Sequence, residues 1–113
     1  VTESRTIDEK TIAEAVELLR QAAPGATIIV FGSAARGETT RNSDLDILVV
    51  EPTVTDQWGE MVRLRRAIRP VRVAADVIVV SQETFDRWAD TPNTVLYEAA
   101  HEGRVFHATT PTR

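Results

Sequence analysis

The sequence predicts one α/β (α+β) domain over residues 1–113, in which a small mixed, twisted sheet is flanked by helices. Amphipathic helical segments alternate with short apolar runs along the chain. The length of the chain allows a single core, which is expected over about 27–107. Two of the runs, 46–50 and 76–80, begin with Asp and are apolar on both strand faces, so helices should cover both sides of the sheet. The helix between these runs forms a crossover connection, which favours parallel pairing of the two strands.

The N-terminal helix is predicted over about 7–23. Thr6 and Glu9, three residues apart, have the pattern of a capping box, and apolar residues then recur at helical spacing. Pro24 and Gly25 are expected to end this helix.

Three strands are predicted at 27–31, 44–50 and 71–80, where β-branched and aliphatic residues dominate. The first two are expected to run antiparallel, so that the end of the first strand meets the start of the second. Asp56 is predicted to cap the helix that precedes the third strand, and Pro70 to end that helix.

The remaining elements are shorter. Helices are predicted over 83–89 and 94–102, with Gly103 as the stop signal of the second. A short edge strand is expected at 104–107, and the tail 108–113 is expected to be frayed.

Three aspartates are predicted to meet at one edge of the sheet. Asp44 and Asp46 alternate with Leu45, so their carboxylates point to the same face and repel each other. Asp76 precedes its apolar run as Asp46 does, and parallel neighbours bring corresponding strand ends together. A divalent cation with oxygen ligands is the simplest group that would offset the repulsion. Alternatively, Asp44 could cap a turn and Asp76 could be a satisfied edge carboxylate.

The turn after the first strand, Gly32-Ser33, supplies the second half of a possible site. A strand that breaks into a helical turn leaves backbone N–H groups able to hold a phosphate, and glycine lets the backbone approach it closely. A phosphate-binding turn beside metal-binding carboxylates indicates nucleotide chemistry.

These residues together form the pattern Gly-Ser, ten residues, Asp-x-Asp, here Gly32-Ser33 and Asp44-Leu45-Asp46. The pattern resembles the signature of the polymerase β-like nucleotidyltransferase superfamily. The segments 31–37 and 43–46 are similar to its minimal nucleotidyltransferase (MNT) branch, which includes MntA-type antitoxins. The resemblance extends over about 28–106 and includes Asp76. Ala34 is a departure, because relatives often carry a polar or basic residue there.

The resemblance implies a polymerase β-like fold and Mg²⁺-dependent transfer of AMP from ATP. Two Mg²⁺ ions would be held by the carboxylates of Asp44, Asp46 and Asp76, and Asp76 would also be the candidate general base. The implied nucleotide-binding residues are Gly32, Ser33, Arg36, Arg41 and Ser43. Arg36 and Arg41 could equally be surface arginines of a loop.

The resemblance also implies a partner. A chain of this length leaves no space for a domain that presents the acceptor, so the acceptor should be bound by another protein or be that protein. Minimal nucleotidyltransferases commonly pair with a small helical HEPN protein, often a ribonuclease toxin, and MntA-type members neutralise it by attaching AMP to a tyrosine. We therefore expect an antitoxin that AMPylates its HEPN partner in a hetero-oligomer. The alternatives are a non-catalytic module that sequesters the partner and a small-molecule transferase of the aminoglycoside type.

Composition limits the other classes of function. The formal net charge is −4. The absence of cysteine excludes disulfides and thiolate metal sites. No apolar run approaches the roughly 20 residues of a membrane span. A cytoplasmic protein without membrane or direct nucleic-acid contact is expected.

Three further groups of residues are predicted to be structural. The arginines of 63–72 are interpreted as a solvated helix face rather than a nucleic-acid site. Trp58 and Trp88 are expected in the core, with a partner surface as the alternative. His101 and His107 match no helical metal spacing.

Overall fold

The computed structural model describes residues 7–38 and 44–107. The elements in these ranges are α1 (Glu9–Ala22), β1 (Thr27–Phe31), α2 (Ser33–Arg36), β2 (Leu45–Glu51), α3 (Gln57–Ala67), a 3₁₀ turn (Arg69–Val71), β3 (Ala75–Ser81), α4 (Gln82–Trp88), α5 (Val95–Glu102) and β4 (Arg104–Phe106). None of the described helices is long and apolar enough to cross a membrane. The predicted frayed tail, 108–113, lies outside the described residues.

The sheet is mixed, as the sequence predicts. Its strand order is β3-β2-β1-β4. β1 pairs antiparallel with β2, and β2 pairs parallel with β3 through the crossover that contains α3. β4 pairs antiparallel with β1 as an edge strand, in agreement with the prediction at 104–107. The end of β1 therefore lies beside the starts of β2 and β3.

Helices cover both faces of the sheet, which confirms the inference from the doubly apolar strands. On one face the core contains the α1 and α3 side chains, including Leu19 and Leu64, packed on alternate strand residues such as Ile47. On the other face Phe85 of α4 and Ala99 of α5 pack against the remaining strand residues. The two inner strands, β1 and β2, thus bury both sets of side chains, the pattern expected of a covered sheet.

The start of α1 differs from the prediction. The N-cap is Asp8, whose carboxylate accepts the Thr11 N–H at 2.8 Å, so the helix begins at Glu9 rather than at 7. Thr6 lies outside the described residues. The Glu9 carboxylate is bound at 2.9 Å by both terminal nitrogens of Arg104 on β4. It is therefore directed towards β4 rather than closing a capping box.

The third strand begins later than predicted. β3 starts at Ala75, whereas the sequence favoured 71–80. Val71 belongs to the 3₁₀ turn and is buried in the core, and Arg72 after it has a left-handed φ of 65°, which lies outside the β region. α3 ends at Ala67, before Pro70, which agrees with the predicted stop of this helix. The apolar character of Val71 serves the packing of a turn and not a strand.

Both tryptophans were expected in the core, and both expectations are wrong. Trp58 is 71% exposed and Trp88 is 45% exposed. α3 turns Leu64 inward, and Trp58 in its first turn lies on the solvent side. Asp56 caps α3 as predicted, accepting the Gly59 N–H at 3.0 Å.

Gly103 is the C-cap of α5, as predicted, but for a different reason. Its φ of −82° is open to any residue. A Cβ at this position would collide with the Ala99 carbonyl oxygen and the Ile29 side chain. Glycine is needed here for close packing of α5 on β1 and not for a left-handed turn.

Candidate active site

The predicted carboxylates lie at the edge where β1 ends and β2 and β3 begin. Asp46 and Asp76 are register partners across the parallel pair, and Asp46 is also the partner of Phe31 on β1. Neighbouring strands are about 4.8 Å apart, and register partners point to the same face. Asp44 immediately precedes β2, which starts one residue later than predicted, and it is exposed. We call Asp44, Asp46 and Asp76 the carboxylate site.

The turn after β1 adjoins this site through Gly32. This residue has φ 74° and ψ −153°, a conformation that essentially only glycine adopts. A Cβ added here would collide with the Asp46 carboxylate. The glycine of the motif is therefore required both by the backbone angle and by the approach of the turn to Asp46.

Ser33 begins the short helix α2 directly after Gly32. The N–H groups of Ala35 and Arg36 donate to the Gly32 carbonyl at 3.1 and 3.3 Å. The first N–H groups of a helix have no partner within the helix, so the Ser33 end of α2 presents donors beside the carboxylate site.

The surroundings of Asp46 disfavour its charged form. Its pKa is raised, first because burial disfavours the charged form and then because the carboxylates of Asp76 and Asp44 repel it. Glu98 acts in the same direction, and Arg36 opposes it more weakly. Negative charge therefore predominates around Asp46, and a cation would offset it.

Arg36, predicted as a phosphate ligand, is held by acidic side chains. Its guanidinium lies 2.9 Å from Glu38, 3.8 Å from Glu98 and 4.0 Å from Glu102. The hydrogen bond to Glu38 is the main reason that its pKa is raised. Arg36, Glu98 and Glu102 line an open cavity of about 630 Å³ together with Tyr97. Nothing in the local sequence around Arg36 predicts its contacts with α5.

A basic residue that the sequence did not assign to the site contacts it. Arg65 on α3 donates to Asp76 Oδ1 at 2.9 Å. Arg63, Arg65 and Arg66 are all exposed, as a solvated helix face predicts. Arg63 in addition binds Glu60 and the Ala22 carbonyl, a contact that the sequence did not predict. No sequence spacing connects a helix arginine to a strand aspartate 11 residues later, so only the packing of α3 on β3 reveals the contact.

The two histidines behave as predicted. The His101 ring stacks on Tyr97 with centroids 4.0 Å apart, and its Nδ1 lies 3.0 Å from the Tyr97 carbonyl oxygen. The His107 carbonyl accepts a hydrogen bond from Arg20 at 3.2 Å.

Comparison with known proteins identifies the family. The model of the nucleotidyltransferase domain family matches residues 11–105, which include the Gly-Ser turn and the carboxylate site. The chain belongs to this family. It is a nucleotidyltransferase.

This nucleotidyltransferase is similar to proteins of known class. It is 33% identical over 105 residues to a Methanocaldococcus jannaschii protein named as a candidate protein adenylyltransferase, covering 88% of this chain and 98% of the relative. A solved structure of a candidate nucleotidyltransferase from Sulfolobus solfataricus superposes with a TM-score of 0.58 at 26% identity, covering 86% of this chain and 77% of that one.

Solved toxin–antitoxin structures are also similar to it. One, determined with AMP-PNP, gives a TM-score of 0.52 at 27% identity and covers 86% of this nucleotidyltransferase and 73% of that chain. An MntA–HpeT complex gives 0.51 at 26% identity, covering 90% and 74%. The predicted mixed α/β nucleotidyltransferase fold is thereby confirmed.

The donor set of the nucleotidyltransferase fits Mg²⁺. This ion takes one or two carboxylates and completes its shell with water and substrate phosphates. Asp46 has a raised pKa because burial and neighbouring carboxylates disfavour its charge, which is the imbalance that a cation corrects. Within 7–38 and 44–107 no three acidic or imidazole side chains form a ready-made metal cluster. Asp76 is bonded to Arg65 instead. Two predicted nucleotide ligands, Arg41 and Ser43, lie outside the described residues.

Proposed function

We propose that this nucleotidyltransferase is an antitoxin that transfers AMP from ATP to a side-chain hydroxyl of a partner HEPN-type toxin and thereby neutralises it. The observation that carries the proposal is the placement of Asp46 and Asp76 as register partners beside Gly32. That placement brings carboxylate oxygens that could hold a metal and N–H groups that could hold a phosphate to one edge of the sheet.

The comparisons support protein as the acceptor class. The relative from Methanocaldococcus jannaschii is named for protein adenylylation, and the MntA–HpeT complex is a toxin–antitoxin pair. A second solved toxin–antitoxin structure was determined with AMP-PNP, an ATP analogue. These are properties of those proteins, and the proposal extends them to this chain.

The residues have separate roles in the proposed reaction. Asp44, Asp46 and Asp76 would hold Mg²⁺, which when bound stabilises negative charge on the attacking and leaving oxygens. Gly32 allows the backbone to approach the triphosphate, and the Ser33 N–H and hydroxyl donate to phosphate oxygens. Arg36 becomes a phosphate ligand when its guanidinium leaves the acidic side chains of α5.

The transfer is an in-line substitution at the α-phosphorus of ATP. The acceptor hydroxyl oxygen forms the new bond to phosphorus, and the bond from phosphorus to the bridging oxygen of the β-phosphate breaks. Pyrophosphate leaves with that bonding pair. Asp76, exposed at the start of β3, accepts the hydroxyl proton.

Intact-mass measurement of the partner tests this function. The chain, ATP, Mg²⁺ and the proposed partner toxin are incubated together, and we expect the toxin to gain the mass of at least one AMP. Replacing the acceptor tyrosine by Phe should abolish the gain. An unmodified toxin, in the presence of an active control enzyme, would overturn the proposal.

A matched pair of variants separates catalysis from sequestration. Asp44→Asn removes one proposed metal ligand, so transfer should collapse while binding to the toxin persists. Glu83→Gln removes the same charge from the first turn of α4, at the opposite end of β3, and should leave transfer unchanged. Toxin neutralisation that survives Asp44→Asn would favour a non-catalytic binding module.

One observation favours a second acceptor class. Glu98 and Glu102 give the cavity beside Arg36 an acidic lining, which suits a small polycation such as an aminoglycoside. A panel of cationic small molecules with labelled ATP tests it. Labelled product from the panel, together with an unmodified toxin, would replace the protein acceptor with a small one.

A further inference from the structure

The ion pair between Arg65 and Asp76 joins two layers of the fold. α3 packs on the face of the sheet to which Val77 and Val79 point. Asp76 alternates with Val77 and points to the opposite face. β3 is the outer strand of the sheet, so the Arg65 side chain spans its free edge to donate to Asp76 Oδ1 at 2.9 Å.

The ion pair between Arg65 and Asp76 contributes little to the stability of the fold. Arg65 and Asp76 have side chains 43% and 54% exposed, and exposed pairs contribute little to folding. Its position is what distinguishes it. Asp76 is the register partner of Asp46, whose charge Asp76 and Asp44 already disfavour. Arg65 therefore places a positive charge against one member of the carboxylate site.

Arg65 occupies one Asp76 oxygen that a cation would otherwise use. Asp46 on β2 and Arg65 on α3 are charged neighbours of this carboxylate. The positive charge of Arg65 lowers the attraction of the site for a divalent cation, and its single hydrogen bond to Oδ1 orients the Asp76 carboxylate.

We propose that Arg65 is a positioning residue that holds Asp76 in the metal-free protein and weakens Mg²⁺ binding at the carboxylate site. The proposal rests on the proposed metal site but not on the identity of the acceptor. Arg65 and the entering cation compete for Asp76. Both carboxylate oxygens of Asp76 become available to the cation only when Arg65 releases Oδ1.

The test measures metal binding and not transfer. Mn²⁺ serves as the probe, and its free concentration is followed by electron paramagnetic resonance at low ionic strength, with the full chain and without nucleotide, whose phosphates would themselves bind Mn²⁺. Arg65→Gln removes the charge and keeps a hydrogen-bond donor. We expect the Mn²⁺ dissociation constant to fall about 5–10-fold, because an unscreened charge a few ångströms from the site is removed.

Two variants control for charge and for fold. Arg66→Gln removes the same charge from the exposed neighbour on α3 and should change the dissociation constant less than about 2-fold. Arg65→Lys keeps the charge and should stay near the wild-type value. Circular dichroism verifies that every variant is folded.

The outcomes separate this proposal from the proposed function. If Arg65→Gln binds Mn²⁺ no more tightly than Arg66→Gln, the role of Arg65 is overturned while the mass gain of the toxin can still be observed. If the wild-type protein binds no Mn²⁺, the metal site itself is overturned. If the toxin stays unmodified but the Arg65 effect is present, the acceptor assignment alone fails.

Discussion

Asp46 and Asp76 are register partners across the parallel β2–β3 pair, and both point to the face of the sheet that α4 and α5 cover. In an ordinary sheet two like charges in adjacent positions would be destabilising. Here they stand beside a turn whose glycine approaches Asp46 too closely for any Cβ. The local cost of this arrangement indicates a functional and not a structural use of the edge.

Asp46→Asn should abolish transfer without weakening the fold. The substitution keeps the shape of the side chain and removes a charge that burial and two carboxylates disfavour. We expect transfer to fall at least about 100-fold, equivalent to about 2.7 kcal/mol of transition-state stabilisation. The free energy of unfolding, measured in urea, should not fall. A marked loss of stability would mean that Asp46 has a structural partner.

Gly32→Ala should damage both stability and transfer, because the new Cβ meets the Asp46 carboxylate in a backbone conformation reserved for glycine. We expect a loss of about 1–3 kcal/mol in the free energy of unfolding. Gly37→Ala is the matched control: its φ of 71° is also positive, but no atom lies within 4 Å of the added Cβ. It should cost about 1–2 kcal/mol and leave transfer nearly intact. Equal effects on transfer would remove the special role of Gly32.

A second acidic cluster, at the far end of β2, predicts a pH dependence of stability. Burial raises the pKa of Glu51 to about 7, and its hydrogen bond to Glu60 adds to the effect. The hydrogen bond from Arg63 is the main reason that the pKa of Glu60 is lowered to about 2. Arg63 also donates to the Ala22 carbonyl at 2.8 Å and so ties α3 to the end of α1.

The two shifts act in different pH windows. Because the folded-state pKa of Glu51 is raised, the folded protein binds more protons than the unfolded chain between about pH 4.5 and 7. Its contribution to stability is complete below pH 4.5 and is lost as the pH rises through 7. Glu60 has a lowered pKa, so its contribution is present above pH 4.5 and is lost as the pH falls towards 2.

Glu51→Gln should remove the change in stability that Glu51 causes between about pH 4.5 and 7, because a neutral amide cannot ionise. We expect the variant to be more stable than the wild type at pH 8, by about 1 kcal/mol after solvent screening of this partly exposed pair, and nearly equal to it at pH 4.5. Thermal unfolding across pH 4–8 measures the difference. A parallel pH profile for the two proteins would contradict the assignment to Glu51.

Glu98→Gln should lower the KM for ATP. Glu98 lies 3.8 Å from the Arg36 guanidinium and disfavours the charge on Asp46, so its removal takes away one of the acidic contacts of a proposed phosphate ligand and reduces repulsion of the triphosphate. We expect about a 2–5-fold fall, the magnitude of one exposed ion pair. Glu83→Gln, which removes a carboxylate 3.7 Å from Arg87 on α4, should leave the KM unchanged. An unchanged KM in the Glu98 variant would exclude Arg36 as a phosphate ligand.

Much of the architecture follows from local sequence. The bounds of β1 agree with the prediction, because five apolar residues between a Pro-Gly turn and Gly32 favour a strand there. The N-cap of α3 also agrees, because Asp56 is a strong capping residue. Where the prediction is wrong, tertiary contacts decide. Glu9 is held by Arg104 on a strand 95 residues later, and Val71 is buried in a turn.

The sequence by itself determined which residues form the candidate site, because strand periodicity sets which aspartates share a face and the spacing of Gly32 from Asp44 and Asp46 is fixed in the chain. Only the tertiary structure decided their electrostatic partners. Arg65 reaches Asp76, and the acidic side chains of α5 reach Arg36, through the packing of helices on the sheet. Long side chains from distant segments meet by that packing, and no local pattern of residues encodes where their charged ends lie.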